Sequence, residues 1–252
     1  MGNSSVVRLP GRREFSARRE VAIGLGVYAV YLLVRAATLT DAGRERARRN
    51  AARVVEVERR LNLHVEPELQ RVFLPYRRLM HVLNVSYATL NVGLTVVWLM
   101  RLFRRRHPAY HGARRAIALT TLGAQPFFLL LPTAPPRSLD HLVDTIAEIS
   151  RVDLDSGIVA RLYHPLAAMP SIHVAYAVVT AAEVAEATES RLLQRVVPAY
   201  PPLVALVVFV TGNHYVLDAV AGAVLGALGL RAARLLGDRR PISRRRRAPS
   251  WR

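Results

Sequence analysis

The stretch Thr211-Gly-Asn-His-Tyr-Val-Leu-Asp-Ala-Val-Ala-Gly-Ala-Val-Leu-Gly-Ala-Leu-Gly-Leu230 decides how the chain is read. It opens on polar, turn-forming residues that include His214 and Asp218, then becomes apolar and small. Gly222, Gly226 and Gly229 stand among alanines, a pattern suited to close packing of membrane helices. From Tyr215 to Leu236 the run reaches the ~20 residues that cross a ~30 Å hydrocarbon core. The reading therefore places polar chemistry at the mouth of an apolar span.

Five more windows behave alike: Val21–Leu39, Leu79–Phe103, Ala116–Pro132, Ile172–Glu189 and Val196–Val210. The fold class that follows is all-α, a polytopic helical membrane bundle of about six transmembrane helices. In the second window Asn84, Ser86 and Asn91 predict a polar face turned toward the bundle. The fourth is the least hydrophobic, with His173, Glu183 and Glu186. The fifth holds Pro198, Pro201 and Pro202 in its first turns, where proline is best tolerated. The first follows a basic segment and reads as an uncleaved signal anchor.

Charge gives the bundle its orientation. The 252 residues include 36 basic side chains against 18 acidic ones, for a net charge of +18, yet 52% are hydrophobic. That combination excludes a disordered chain, which is charged but poor in apolar residues, and a soluble basic nucleic-acid-binding domain. All 36 bases are arginine, and there is no cysteine, so disulfides and thiolate chemistry are excluded. The arginines concentrate in residues 1–20, 101–115, 190–195 and 231–252, whereas 134–170 holds three against five acids. The positive-inside rule then makes residues 1–20 and 237–252 basic cytoplasmic ends of a membrane domain spanning 21–236. The tail Arg239–Arg247 reads as an anchor for anionic membrane lipids rather than for nucleic acid. Residues 41–78 fall on the outer side yet carry ten arginines and six acids. Within them Ala47, Ala51, Val54, Val57 and Leu61 form one helical stripe, predicting an amphipathic helix over 41–63. It lies either on the outer membrane surface or against the top of the bundle.

Three stretches carry the chemistry: Pro132-Thr-Ala-Pro-Pro-Arg137, Met169-Pro-Ser-Ile-His173 and Thr211-Gly-Asn-His214-Tyr-Val-Leu-Asp218. Between His173 and His214 the chain makes a two-span hairpin, which returns it to the membrane face it left. Arg137 ends span three and joins His173 through a loop that crosses nothing. Two histidines, an aspartate and an arginine thus meet at one surface, the extracytoplasmic one by the charge count. Asp218 follows His214 by four positions, one helical turn, so its carboxylate can take a hydrogen bond from one ring nitrogen and leave the other as a nucleophile or base. Arginine is planar, permanently charged and bidentate, which suits a phosphate.

On these motifs the chain resembles the type-2 phosphatidic acid phosphatase superfamily, and within it the branch of inositol phosphorylceramide synthases and their bacterial relatives. Pro-Ser-Ile-His at 170–173 is similar to the second family motif, Gly-Asn-His-Tyr-Val-Leu-Asp at 212–218 to the third, and Ala-Pro-Pro-Arg at 134–137 takes the place of the first. The resemblance implies that His214 forms a phosphohistidine, Asp218 orients it, and His173 protonates the leaving alkoxide. Arg137, with the Ser171 hydroxyl and the start of span four, would hold the phosphoryl oxygens. It implies no metal and no cofactor. Two departures matter: the first motif of the wider family begins with a lysine, which this chain lacks, and its third motif carries an arginine where Val208 stands here. Arg161 is a candidate second cation.

The expected substrate is a lipid phosphate or phosphodiester, transferred to water or, in a head-group transferase, to an alcohol. The expected location is a bacterial plasma membrane. A transporter or non-catalytic scaffold is the rival class, disfavoured by the joint presence of Arg137, His173, His214 and Asp218 and by the lack of an internal repeat. Glu183 lies too deep to touch the phosphate and reads as a structural pair. Asp153 and Asp155 form too short a run for a calcium loop. His81, His107, His111, His141 and His164 read as solvated or interfacial.

Overall fold

A computed structural model describes residues 15–139, 142–151 and 164–237. Arg161, Asp153, Asp155, His141 and the basic segments 1–14 and 238–252 lie outside the described residues. Among those described, all regular elements are helical, and an isolated bridge pairs Thr133 with Ala167. The helices are α1 (Ala17–Thr38), α2 (Asp41–Arg60), α3 (Glu66–Phe73), α4 (Arg77–Val85), α5 (Asn91–Arg104), α6 (Tyr110–Leu130), α7 (Thr145–Glu148), α8 (Ile172–Ala187), α9 (Arg191–Val196), α10 (Tyr200–Val210) and α11 (Val216–Leu236). A π-turn, Ser86–Leu90, separates α4 from α5.

Each apolar window is helical, but the windows differ in reach. Ala17–Thr38, Arg191–Val210 and Val216–Leu236 are long and apolar enough to cross a membrane, and Arg77–Thr89 with Val92–Arg104 makes a fourth if that pair, bent by 45°, is one span. The third and fourth expected spans are α6 and α8. Arg114 and Arg115 occupy the first turns of α6, and α8 has only 16 residues. Their apolar lengths are therefore shorter than those of α1 or α11. Val21, Leu25, Leu33, Val96, Val97, Leu122, Leu203, Val220, Val224 and Leu228 point outward. So many exposed apolar side chains suit hydrocarbon better than water.

α11 is the central helix, packed against α6 and α8. Its glycines explain how closely. A Cβ on Gly222 would stand 2.3 Å from the Ser171 carbonyl oxygen, and one on Gly226 would stand 2.6 Å from that of Ala175. Both neighbours are backbone, so any larger residue forces the helices apart. The small-residue pattern read from the sequence is thus a helix–helix seam. Ser171 N–H adds a 2.9 Å bond to the Asp218 carbonyl, fixing the start of α8 against the first turn of α11.

α2 is a helix where expected, but its buried face is rotated. Gly43, Ala47, Ala51, Val55 and Glu58 are buried, while Val57 and Leu61 are exposed. Ala47, Ala51 and Val55 pack with Ala134, Leu166 and Tyr215. α2 therefore lies against the bundle end that carries the three motifs, and of the two placements left open the packed one holds. Asn84 turns inward as expected: its amide donates to the Thr145 carbonyl at 2.7 Å and accepts from the Thr145 hydroxyl at 2.9 Å. His164 departs from expectation. It is buried, and its Nε2 lies 3.0 Å from the Thr38 hydroxyl, tying the end of α1 to the loop before α8.

Candidate active site

The third motif is a tight turn between α10 and α11. Gly212 takes φ +66°, a conformation that suits glycine. Its carbonyl accepts from Arg137 N–H at 2.8 Å, so main chain joins the first motif to the third. The second motif starts α8. Ser171 is the N-cap, and its hydroxyl accepts from Val174 N–H at 3.4 Å. That oxygen is committed to the helix, and its own O–H remains the group it could offer a phosphate.

The two histidines meet. His214 Nε2 lies 3.4 Å from His173 Nδ1, with the rings 5.6 Å apart and tilted by 57°. His214 Nδ1 bonds the Ala168 carbonyl at 2.8 Å. A carbonyl only accepts, so Nδ1 carries the proton and the lone pair sits on Nε2. Here the structure corrects the sequence reading. The hydrogen bond expected for Asp218 goes to Ala168, while Asp218 Oδ2 stands 3.5 Å from Nδ1. The reason is the start of α11: the same Oδ2 accepts from Tyr215 N–H at 3.0 Å, a capping bond that holds the carboxylate toward the helix end. Asp218 stands beside the ring without making its main hydrogen bond.

Electrostatics keep His214 neutral. Burial pushes its pKa down to about 4, with the Ala168 carbonyl working against the shift and the Arg137 charge adding to it. Arg137 is fixed on two sides, its Nε donating to Asn213 Oδ1 at 2.9 Å and its Nη1 to Asp144 Oδ2 at 2.8 Å. Asp144 in turn caps α7, accepting from Ile146 and Ala147 N–H. Gln70 of α3 grips both main-chain groups of the preceding residue, Val143.

Sequence reading did not single out Tyr87, Ala168, Asn213 and Asp144. Tyr87 stacks on His173 at 4.4 Å and 30°. It projects from the π-turn, where an extra residue per turn rotates the side chain inward. Asn213 had a usable signal, being the polar neighbour of His214 inside its motif, whereas Asp144 lies seven positions beyond Arg137, outside the motif segments. Ala168 acts through its carbonyl, which no side-chain pattern reveals. At the opposite end of α8, Glu183 is buried, and Glu186 on the next turn pairs with Arg234. The geometry can deliver one nucleophilic nitrogen, one proton carrier beside it, and one fixed cation.

The family model described as the PAP2 superfamily matches residues 52–232. No curated protein and no solved structure matches the chain.

Proposed function

The chain belongs to the PAP2 superfamily, that of type-2 phosphatidic acid phosphatases, and on that premise we propose that it transfers phosphoryl groups of membrane lipids through a phosphohistidine on His214. Membership makes it a phosphatase-type enzyme acting on phosphate esters. The observation that carries the finer reading is the 3.4 Å approach of His214 Nε2 to His173 Nδ1, with His214 Nδ1 held by Ala168. In the first half-reaction Nε2 attacks phosphorus, the bond from phosphorus to the leaving alkoxide breaks, and His173 gives that oxygen a proton. In the second, His173 takes a proton from water or an alcohol, whose oxygen attacks phosphorus and breaks the P–N bond. Arg137, the Ser171 O–H and the N-terminal end of α8 hold the phosphoryl oxygens, where fixed charge and positioning supply most of the rate. Asp218 offsets the charge that develops on His214. None of these steps calls for a metal ion.

The proposal includes a bundle of six crossings in a bacterial plasma membrane, with both termini cytoplasmic and the site extracytoplasmic. The basic tail would rest on anionic lipid.

One observation favours a phosphodiester donor. Val208, at the position of the family's third-motif arginine, is buried in the core at 1% exposure. A monoester brings two negative charges and a diester one, so a cradle with fewer cations suits the diester.

The test is mass-spectrometric detection of products from a panel of lipid phosphates and phosphodiesters, with and without candidate alcohols. Acid-labile phosphate should be trapped on wild-type protein and missing from His214→Ala. Equal trapping in that variant would sink the mechanism.

A further inference from the structure

α11 starts against two buried glutamates that the transfer chemistry does not use. Val216 N–H donates to Glu66 Oε1 at 3.0 Å, and Leu217 N–H donates to Glu58 Oε1 at 2.7 Å. Both residues are 0% exposed. Their second oxygens face His64, whose Nδ1 lies 3.3 Å from Glu66 Oε2 and 4.0 Å from Glu58 Oε2. One ligand atom from each of the three residues lies within 4.8 Å of the other two. Neither Oε2 finds a hydrogen-bond donor among the described residues. The same holds for two more fully buried atoms beside them, Asp218 Oδ1 and the Tyr215 phenol oxygen, which feel the charges of this group.

We propose that Glu58, His64 and Glu66 bind a divalent transition-metal ion, zinc before manganese, that pins the α2–α3 connection to the start of α11. Two carboxylates side by side in a dry site repel each other and lose hydration. A shared proton relieves one oxygen; a divalent cation neutralises both carboxylates and uses the imidazole as well. One nitrogen and two oxygens suit zinc or manganese better than calcium or magnesium, which prefer oxygen alone. Ligands ~2.0–2.1 Å from a tetrahedral zinc ion stand about 3.3 Å apart, the spacing already present between His64 and Glu66. The His64–Glu58 pair, now at 4.0 Å, needs to close by a fraction of an ångström, and all three ligand atoms already lie within 4.8 Å of one another. The ion does not touch the phosphoryl group. It orients the two glutamates that hold the first N–H groups of the helix carrying Asp218.

The test uses full-length protein purified in detergent, equilibrated in metal-free buffer, and assayed by inductively coupled plasma mass spectrometry. About one zinc or manganese ion per chain is expected, falling below about a tenth in Glu58→Gln/Glu66→Gln. Should that variant not fold, His64→Ala changes a side chain at the rim of the cluster and is expected to lose the ion while staying monodisperse. The wild-type melting temperature should fall on chelation and return with zinc. Wild-type protein without a divalent ion, melting at one temperature whatever the chelator or zinc, overturns the proposal in favour of a shared proton. Metal retained in both variants overturns it too. Phosphohistidine trapping on the same samples reads the transfer chemistry separately.

Discussion

The first turn of α11 has two polar regions with opposite characters. On one side His214, His173 and Arg137 converge, with His214 held by the Ala168 carbonyl and Arg137 by Asn213 and Asp144. On the other, Glu58 and Glu66 hand their oxygens to the helix backbone and hold its end in place. Both regions are largely buried, and among the described residues the second oxygens of the two glutamates find no hydrogen-bond donor. The difference lies in where their residues come from. The candidate catalytic groups lie in three short motifs at the ends of helices. The glutamates come from helices 150 and 159 positions away from the N–H groups they accept. A reactive site can be compact in sequence, while the support of a helix end is built from whatever the fold brings near.

Four substitutions and one titration break or sharpen that contrast. The largest effect is expected from His214→Ala, which should lower turnover by at least ~10³-fold while leaving the melting temperature near that of wild type. A variant with large residual turnover would place the nucleophile elsewhere. Glu58→Ala should do the reverse. It strands the buried Leu217 N–H and should cost about 1–3 kcal/mol of stability, read as a lower melting temperature, before it touches the chemistry. Tyr87→Leu removes a ring stacked on His173, worth about 0.5–1.5 kcal/mol, so kcat should fall about 2- to 12-fold with KM little changed. An equal change in KM and kcat would assign Tyr87 to substrate binding.

pH separates the regions by sign. The folded pKa of His214 is lowered from 6.5 to about 4. Its nucleophilic form therefore persists as pH falls to about 4 and is lost below. In the unfolded chain the same ring takes up a proton near 6.5, so stability drains away between 6.5 and about 4 while the nucleophile stays neutral. Turnover per folded molecule should outlast thermal stability on acidification; an acid limb near 6.5 would contradict the burial of His214. Glu183→Gln, far from both regions, should show the smallest effect, with turnover inside a factor of two of wild type.

The sequence carried the motifs and the helices. The glycine pattern marked α11 as a closely packed helix, because it reflects that helix's own face, while its partner α8 is known from the structure. His173 and His214 meet as the order of the motifs implies, across the helices α8 to α10 that lie between them. The partner of His214 Nδ1 was not legible, since a backbone carbonyl leaves no mark in a side-chain pattern. α2 was misread by one face because counting apolar residues assigns Val57 and Leu61 inward. The fold instead turns Glu58 inward, where its carboxylate accepts from the Leu217 N–H at the start of α11. Nothing local in the Asp41–Leu63 pattern announces that a helix end will arrive there.

The seam between α8 and α11 also sets the motions open to this enzyme. With glycine pressed on carbonyl at two successive turns, the pair has no sliding freedom, and a slip of one turn would carry the histidines ~5.4 Å out of register. The placement of the main chain that carries His173 and His214 is therefore set by helix-to-helix contact. On the proposed mechanism, substrate admission and product escape then fall to the segments that flank this seam rather than to the seam itself.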